Sequence, residues 1–476
     1  MRRHLLPTLA LLAACRPDPG TGGDEIDGST DSDSGSSDTT TDDASSTDDA
    51  SSDTTPADLP PPARPVLESP AEAEDLDPDP NVVHVSLTAA PARYEIDGET
   101  VEGWAYNGAS PGPTLRARRG DTLVVELTNR LDTPTTLHWH GLHVPFAMDG
   151  VTWMNAPVGP GQDFVYSFVV DQAGTYWYHP HVDTERQLDL GLYGAIVVED
   201  PAEPAVDREL VVLFDSWGEH DHQNLDGADL TWTANGLIDP EFPALAGERL
   251  RLRAINVANA GYLDLAWPQL RHIASDQGLL AALEEPDSLV LAPSDRGDGE
   301  WLIGDGFDVT ALPFSILGEP AIDEPVRLFE VTVAEPGPAP AGLDWPFDGA
   351  EPTPDPGWTD IVYAFAGDPH TGKWTINGEL FPDVTIESLA LQQWSIIELR
   401  NISQTAHPFH LHGHAFEVLS IDDEAPDFRR VEDSINVNPL SKVRLGLLPD
   451  NPGDWMAHCH ILPHVEGGMM TVLRVE

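Results

Sequence analysis

From Asn81 onward the chain runs in short segments in which apolar and polar residues alternate, such as Leu123-Val124-Val125-Glu126-Leu127 and Ser395-Ile396-Ile397-Glu398-Leu399. A period of two is the pattern of a strand with one buried face, and it predicts strands here rather than 3.6-period helices. Gly, Pro and Asn separate the runs. The pairs Asn107-Gly108, Asn235-Gly236 and Asn377-Gly378 mark tight turns in each third of this region.

The pattern also repeats. Glu126-Leu127-Thr128-Asn129 is followed nine residues on by His138-Trp139-His140-Gly141, and Glu398-Leu399-Arg400-Asn401 nine residues on by His410-Leu411-His412-Gly413. The same register from Arg253-Ala254-Ile255-Asn256 lands on Leu265 and Trp267, where no histidine stands. Gly174 precedes His179-Pro180-His181 by five residues, as Gly453 precedes His458-Cys459-His460. Three units of about 130 residues, a usual size for a Greek-key β-sandwich, account for the region. They fall at 81–202, 203–335 and 336–476, with a Pro/Gly/Asp-rich stretch from Ala334 to Trp358 linking the last two. The middle unit is expected to be a spacer without ligands.

The N-terminus reads differently. Arg2 and Arg3 precede an apolar run from Leu5 to Ala14, too short for a permanent membrane span and suited to a cleaved export signal. Its end, Leu12-Ala13-Ala14-Cys15, resembles a bacterial lipoprotein signal over residues 1–15; a plain secretory signal is the alternative, and the arginine pair is only a weak twin-arginine feature. Residues 16–80 are mostly Asp, Ser, Thr, Gly and Pro, with too little apolar surface to offset ordering entropy, so a disordered acidic tether is expected. The protein is thus read as an exported cell-envelope lipoprotein, facing the periplasm or the cell surface, that meets a membrane only through Cys15.

Charge narrows the function. With 24 Lys+Arg against 81 Asp+Glu, a formal net charge of −57, the 476-residue chain lacks the basic footprint that nucleic acids require. The acidity itself is read as a device for solubility or a salt-rich habitat, ahead of attraction for cationic substrates or copper ions. Only two cysteines are present, so no disulfide framework exists, and lipidation of Cys15 leaves Cys459 alone in the fold.

Cys459 lies in one of four histidine clusters: His138-Trp139-His140; His179-Pro180-His181; His407-Pro408-Phe409-His410-Leu411-His412-Gly413-His414; and His458-Cys459-His460 with His464 and Met469. Imidazole with thiolate suits copper or zinc. On a strand, His458 and His460 face one side and Cys459 the other. One strand can therefore serve two metal sites joined by a few backbone bonds, a layout that suits electron movement and has no use in structural zinc. Cys459, His464, Met469 and a distant imidazole, for which His407 is the natural choice, form the ligand set of a blue-copper centre. With His414 set aside as packing, eight histidines remain, a number that suits three further copper ions.

By these motifs the chain resembles the laccase-like, three-domain bacterial multicopper oxidases over residues 81–476. The resemblance implies three consecutive cupredoxin-like sandwiches, an all-β fold, and four copper ions. His407, Cys459 and His464 would hold the type 1 ion, with Met469 axial; His138 and His410 the type 2 ion; His140, His179 and His460 one type 3 ion; His181, His412 and His458 the other. Asp149, eleven residues after His138, matches a carboxylate that supports proton delivery. The family's second carboxylate usually follows the last type 1 histidine directly; here that residue is Val465, and Glu466 comes next. The implied activity is one-electron oxidation of phenols or aromatic amines, entering through an exposed edge of His464, coupled to reduction of dioxygen to water by a monomer. A periplasmic cuprous oxidase is the first alternative, weakened by only six methionines. The others are a two-domain nitrite reductase, which three units disfavour, and a non-catalytic envelope scaffold, which the full ligand set disfavours. His220-Asp221-His222, His4, His84, His143, His272 and His370 have no ligand argument, His414 is read as packing behind the ligands, and Met148, Met154 and Met470 as packing residues.

Overall fold

The computed structural model describes residues 64–96, 98–153, 156–217, 231–314, 324–369 and 371–476. The signal with His4 and Cys15, the tether up to residue 63, Met154, His220, His222 and His370 lie outside the described residues. What is described is all-β apart from three short helical segments.

In the first third, a sheet of Glu99–Tyr106, Val82–Ile96, Thr122–Asn129 and Asp163–Val169 packs on one of Gly112–Arg118, Gly194–Glu199, Gly174–His179 and His138–His140. Leu87, Leu123 and Val125 from one sheet meet Leu115, Tyr178 and Ile196 from the other. The middle and last thirds each build a six-stranded and a five-stranded sheet. Thr122–Asn129 alternates as its sequence predicts, with Leu123, Val125 and Leu127 buried. Ser395–Asn401 departs from alternation: Ile396 and Ile397 are both buried, and so is Glu398. The reason is the interdomain stretch lying over its outer side, where Arg444 of the paired strand Lys442–Leu447 binds Glu398 at 2.7 Å, Asp355 and the Trp358 carbonyl.

The repeat has a physical basis in two asparagines per unit. Asn129, Asn256 and Asn401 are buried; each donates its amide to two carbonyls (Thr133 and Val158; Gly261 and Leu291; Thr405 and Val437) and accepts the N–H two residues on. Each pins the loop that follows it to a distant strand, which is why the nine-residue offset to the histidine strands is kept. Asn107, Asn235 and Asn377 turn their strands with φ of 53°, 52° and 56°, a conformation Asn tolerates. Their side-chain oxygens then accept the N–H of Thr88, Leu213 and Ala364 on the neighbouring strand.

The expected disorder does not extend to residue 80. Pro65 and Leu67 pair with Glu241 at 2.8 Å, Ala71 and Ala73 with Thr114 at 2.8 and 2.9 Å, and Leu67 is buried in the middle core. Glu241–Ala244 and Gly112–Arg118 are edge strands of their sheets, and this strap covers both open edges. Leu67, buried in the middle core, and Ala73, packed against the first, supply the apolar anchors that the Asp- and Pro-rich average conceals. No helix among the described residues is long and apolar enough to cross a membrane.

Candidate metal centres

Strand pairing assembles the histidines. His138 sits opposite His179 across His138–His140 and Gly174–His179, while His410 sits opposite His458 across His407–Leu411 and Gly453–Cys459. The first and third units thus face each other through eight buried imidazoles. One ring nitrogen from each member lies within 4.8 Å of the others in three triads: His138 with His140 and His179, His138 with His410 and His412, and His181 with His412 and His458. His460 joins through ring contacts with His140 at 5.0 Å and His179 at 5.6 Å.

The outer nitrogens fix the tautomers. Nδ1 of His138, His179, His410 and His458 donates to the carbonyls of Asp149, Pro180, Asp433 and Cys459 at 2.8–3.0 Å. Nδ1 of His412 donates to Asp149 Oδ2 at 2.9 Å, and Nε2 of His140 faces Asp433 Oδ1 at 3.2 Å. A carbonyl only accepts, so each inner nitrogen carries a lone pair. Nε2 of His138, His179, His181 and His410, Nδ1 of His140, and both nitrogens of His460 are buried without a hydrogen-bond partner. His412 and His458 turn their Nε2 atoms on each other at 3.0 Å. Burial pushes His140, His179, His181, His410, His412 and His460 down, and His458 to about 3, which favours their neutral forms. So many converging lone pairs are costly unless a cation stands among them, and soft or borderline metal ions such as copper fit.

On the other side of the same strand, Cys459 Sγ lies 3.6 Å from His407 Nδ1 and 3.5 Å from His464 Nδ1, and those two nitrogens are 3.2 Å apart. The centre of such a triangle is about 2 Å from each corner, the length of a bond from imidazole to a metal ion. Ser403 and Thr405 hydroxyls hold His407 Nε2 at 2.9 and 3.2 Å, leaving Nδ1 for the centre. Burial pushes the Cys459 thiol far up, so its thiolate needs a cation beside it. Met469 is buried in the same cluster, with its N–H on the His464 carbonyl and its own carbonyl on the Cys459 N–H. His464, expected to present an exposed edge, is instead 1% exposed, with the Trp374 indole stacked on it at 3.7 Å.

Asp149 is buried between two units: Oδ1 lies 3.3 Å from His138 and Oδ2 2.9 Å from His412. Glu466 is not part of this arrangement. It is exposed at the end of the helix Leu462–Glu466, in the field of Asp183 and Glu185. The second carboxylate at the cluster is Asp433, facing His140 at 3.2 Å and His410 at 3.5 Å. The sequence offers no signal for it beyond an acidic residue between two short strands, Val431–Glu432 and Ser434–Val437. Burial alone would raise its carboxyl, but Arg296 holds it well below the usual range. Arg296 comes from the middle unit, and also binds the Thr175 carbonyl of the first at 3.1 Å, so that unit is more than a spacer. His84, His143 and His272 pair with Glu126, Asp450 and Glu284, and His414 packs on Trp455. Leu265 and Trp267 are buried core.

Comparisons with known proteins agree with this geometry. Residues 88–203 and 354–476 each match a multicopper oxidase domain family. The multicopper oxidase MmcO of Mycobacterium tuberculosis is 33% identical over 452 residues, spanning 82% of this chain and 86% of its own. Among solved structures, a multicopper oxidase from Pseudomonas thermotolerans superposes with a TM-score of 0.69 at 29% identity, covering 83% of this chain and all of that one. A laccase from Pediococcus acidilactici superposes with a TM-score of 0.74 at 27% identity, covering 88% and 94%. With its facing histidine strands and its buried cysteine between two of them, the chain belongs to the multicopper oxidase family.

Proposed function

We propose that the protein is a laccase-type oxidase that takes electrons singly from phenols or aromatic amines and passes them to dioxygen, in an exported, Cys15-anchored monomer. The observation that carries this reading is Cys459, whose sulfur lies within 3.6 Å of His407 and His464 while its two sequence neighbours reach the eight-histidine cluster. His407, Cys459, His464 and Met469 would hold a type 1 copper. His138 and His410 would hold the type 2 ion, and His140, His179, His460 and His181, His412, His458 the type 3 pair. Bound copper would supply one-electron redox chemistry at the first site and the four-electron, four-proton reduction of dioxygen to two waters at the second.

The protein's own part is orientation and proton supply. Backbone between Cys459 and its flanking histidines joins the two sites through a few covalent bonds. Asp149 Oδ2 accepts the His412 Nδ1 proton and its carbonyl the His138 Nδ1 proton, which places a carboxylate where protons are consumed. Asp149→Ala removes the carboxylate that orients His412, leaving the carbonyl on His138, and is expected to weaken copper retention at the cluster by about 10–100-fold, read as copper content after competition with a chelator.

Dioxygen uptake by copper-loaded protein, measured in parallel with a phenol, an aromatic amine and Cu(I), tests the reading. Rapid uptake with the organic donors and no accumulated peroxide is expected. A strong preference for Cu(I) would overturn the laccase assignment in favour of a cuprous oxidase, and inertness to all three would point to a scaffold.

A further inference from the structure

Trp374 occupies a slot shaped for it. It lies in the strand Lys373–Ile376, directly opposite Gly367 of Ile361–Asp368, and a Cβ on Gly367 would fall 1.8 Å from its Cε3. A Cβ on Gly467, just past the helix that carries His464, would fall 2.7 Å from its Cδ1, and the Gly467 carbonyl accepts the Trp374 backbone N–H at 3.2 Å. Two missing side chains, one on the hairpin and one on the ligand helix, let the indole lie flat. Its plane covers His464 at 3.7 Å and 30°, and its edge meets His407 at 5.6 Å and 70°. His407, Cys459 and His464 are together nearly inaccessible.

We propose that Trp374 is a specificity-determining shield over the His407–Cys459–His464 centre. The indole is itself buried, so a donor stays outside the layer that includes it and cannot ligate His464; a metal-ion donor loses the inner-sphere approach while an aromatic donor needs only proximity. One electron would leave the donor across the indole–imidazole stack for a copper held by His407, Cys459 and His464; no bond is made or broken at Trp374, and a phenol's proton passes to water. A plainer role, cross-strand cover for Gly367, would affect stability without altering which donors are accepted.

The inference rests on the laccase reading for its donor selectivity, and its first test does not need copper. In full-length Cys15→Ser protein, Cys459 is the sole thiol, and its reaction with dithionitrobenzoate in the metal-free state reports access to the centre. Adding Trp374→Ala is expected to speed labelling by at least about tenfold, because a deleted indole leaves a channel the core does not refill. In copper-loaded protein the same change is expected to shift the ratio of kcat/KM for ferrous ion over that for 2,6-dimethoxyphenol by at least about tenfold towards the metal ion. Trp374→Phe, which keeps a ring over His464, is expected to bring both quantities to within about threefold of the parent. If either quantity stays within about twofold of the parent in Trp374→Ala, the shield is refuted. Should that variant not accumulate folded, Trp374→Leu is judged by the same criteria. A parent that oxidises no organic donor would refute the laccase reading, while the labelling rates would still decide whether Trp374 closes the site.

Discussion

Copper-loaded Cys459→Ser protein is expected to be colourless near about 600 nm, where thiolate-to-copper charge transfer absorbs, and to bind one copper fewer than the parent. Its dioxygen uptake with a phenol is expected to fall by at least about a thousandfold, because the residue is the proposed ligand and its sulfur lies 3.6 and 3.5 Å from His407 and His464. Serine preserves size, and Cys459 is buried among Phe409, Met469 and Leu473, so the fold should survive the change. The result is sharper when paired with cluster copper. His458 and His460 keep their contacts with His181, His140 and His179, so those ions should remain bound in the variant. Retention of the blue band in Cys459→Ser would contradict the assignment of the sulfur, and with it the oxidase mechanism.

Why the candidate ligands are legible in the sequence while their supports are not follows from the range over which each is determined. The period-two geometry of a strand puts His458 and His460 on one side and Cys459 on the other, and that separation is what the structure shows. Likewise, Asn129, Asn256 and Asn401 mark three equivalent loops because each satisfies its hydrogen bonds within one unit. The residues that hold the ligands act across units instead. Asp433 reaches His140 from the third unit to the first, and Arg296 reaches Asp433 from the second; spacing along the chain carries no trace of such contacts. The cover on His464 by Trp374 is tertiary in the same sense, joining residues ninety positions apart. Residues 64–80 escape a compositional reading for another reason: composition averages over a window, whereas edge-strand pairing needs only a few apolar anchors such as Leu67. Glu466 was drawn in by proximity in sequence to His464, but the helix it ends turns it outward.

Arg296→Met carries the largest expected effect on stability. The guanidinium is fully buried and donates to both Asp433 oxygens, to the Asp276 carbonyl at 2.8 Å and to the Thr175 carbonyl at 3.1 Å. Methionine fills much of the volume but leaves Asp433 as a buried carboxylate with no cation beside it. Breaking a buried pair in this way costs about 3–5 kcal/mol, which should appear as a lower urea midpoint for the metal-free protein. A second consequence follows from what Asp433 touches. Without Arg296 its carboxylate is no longer fixed against His140 and His410, so copper retention should fall by about 10–100-fold although no ligand has changed. Adding Asp433→Leu separates the two effects. The double variant removes the stranded charge and should recover part of the lost stability, while copper retention stays low because the imidazoles have lost their orienting carboxylate. Equal copper retention in the parent and in both variants would show that the middle unit contributes nothing to the cluster.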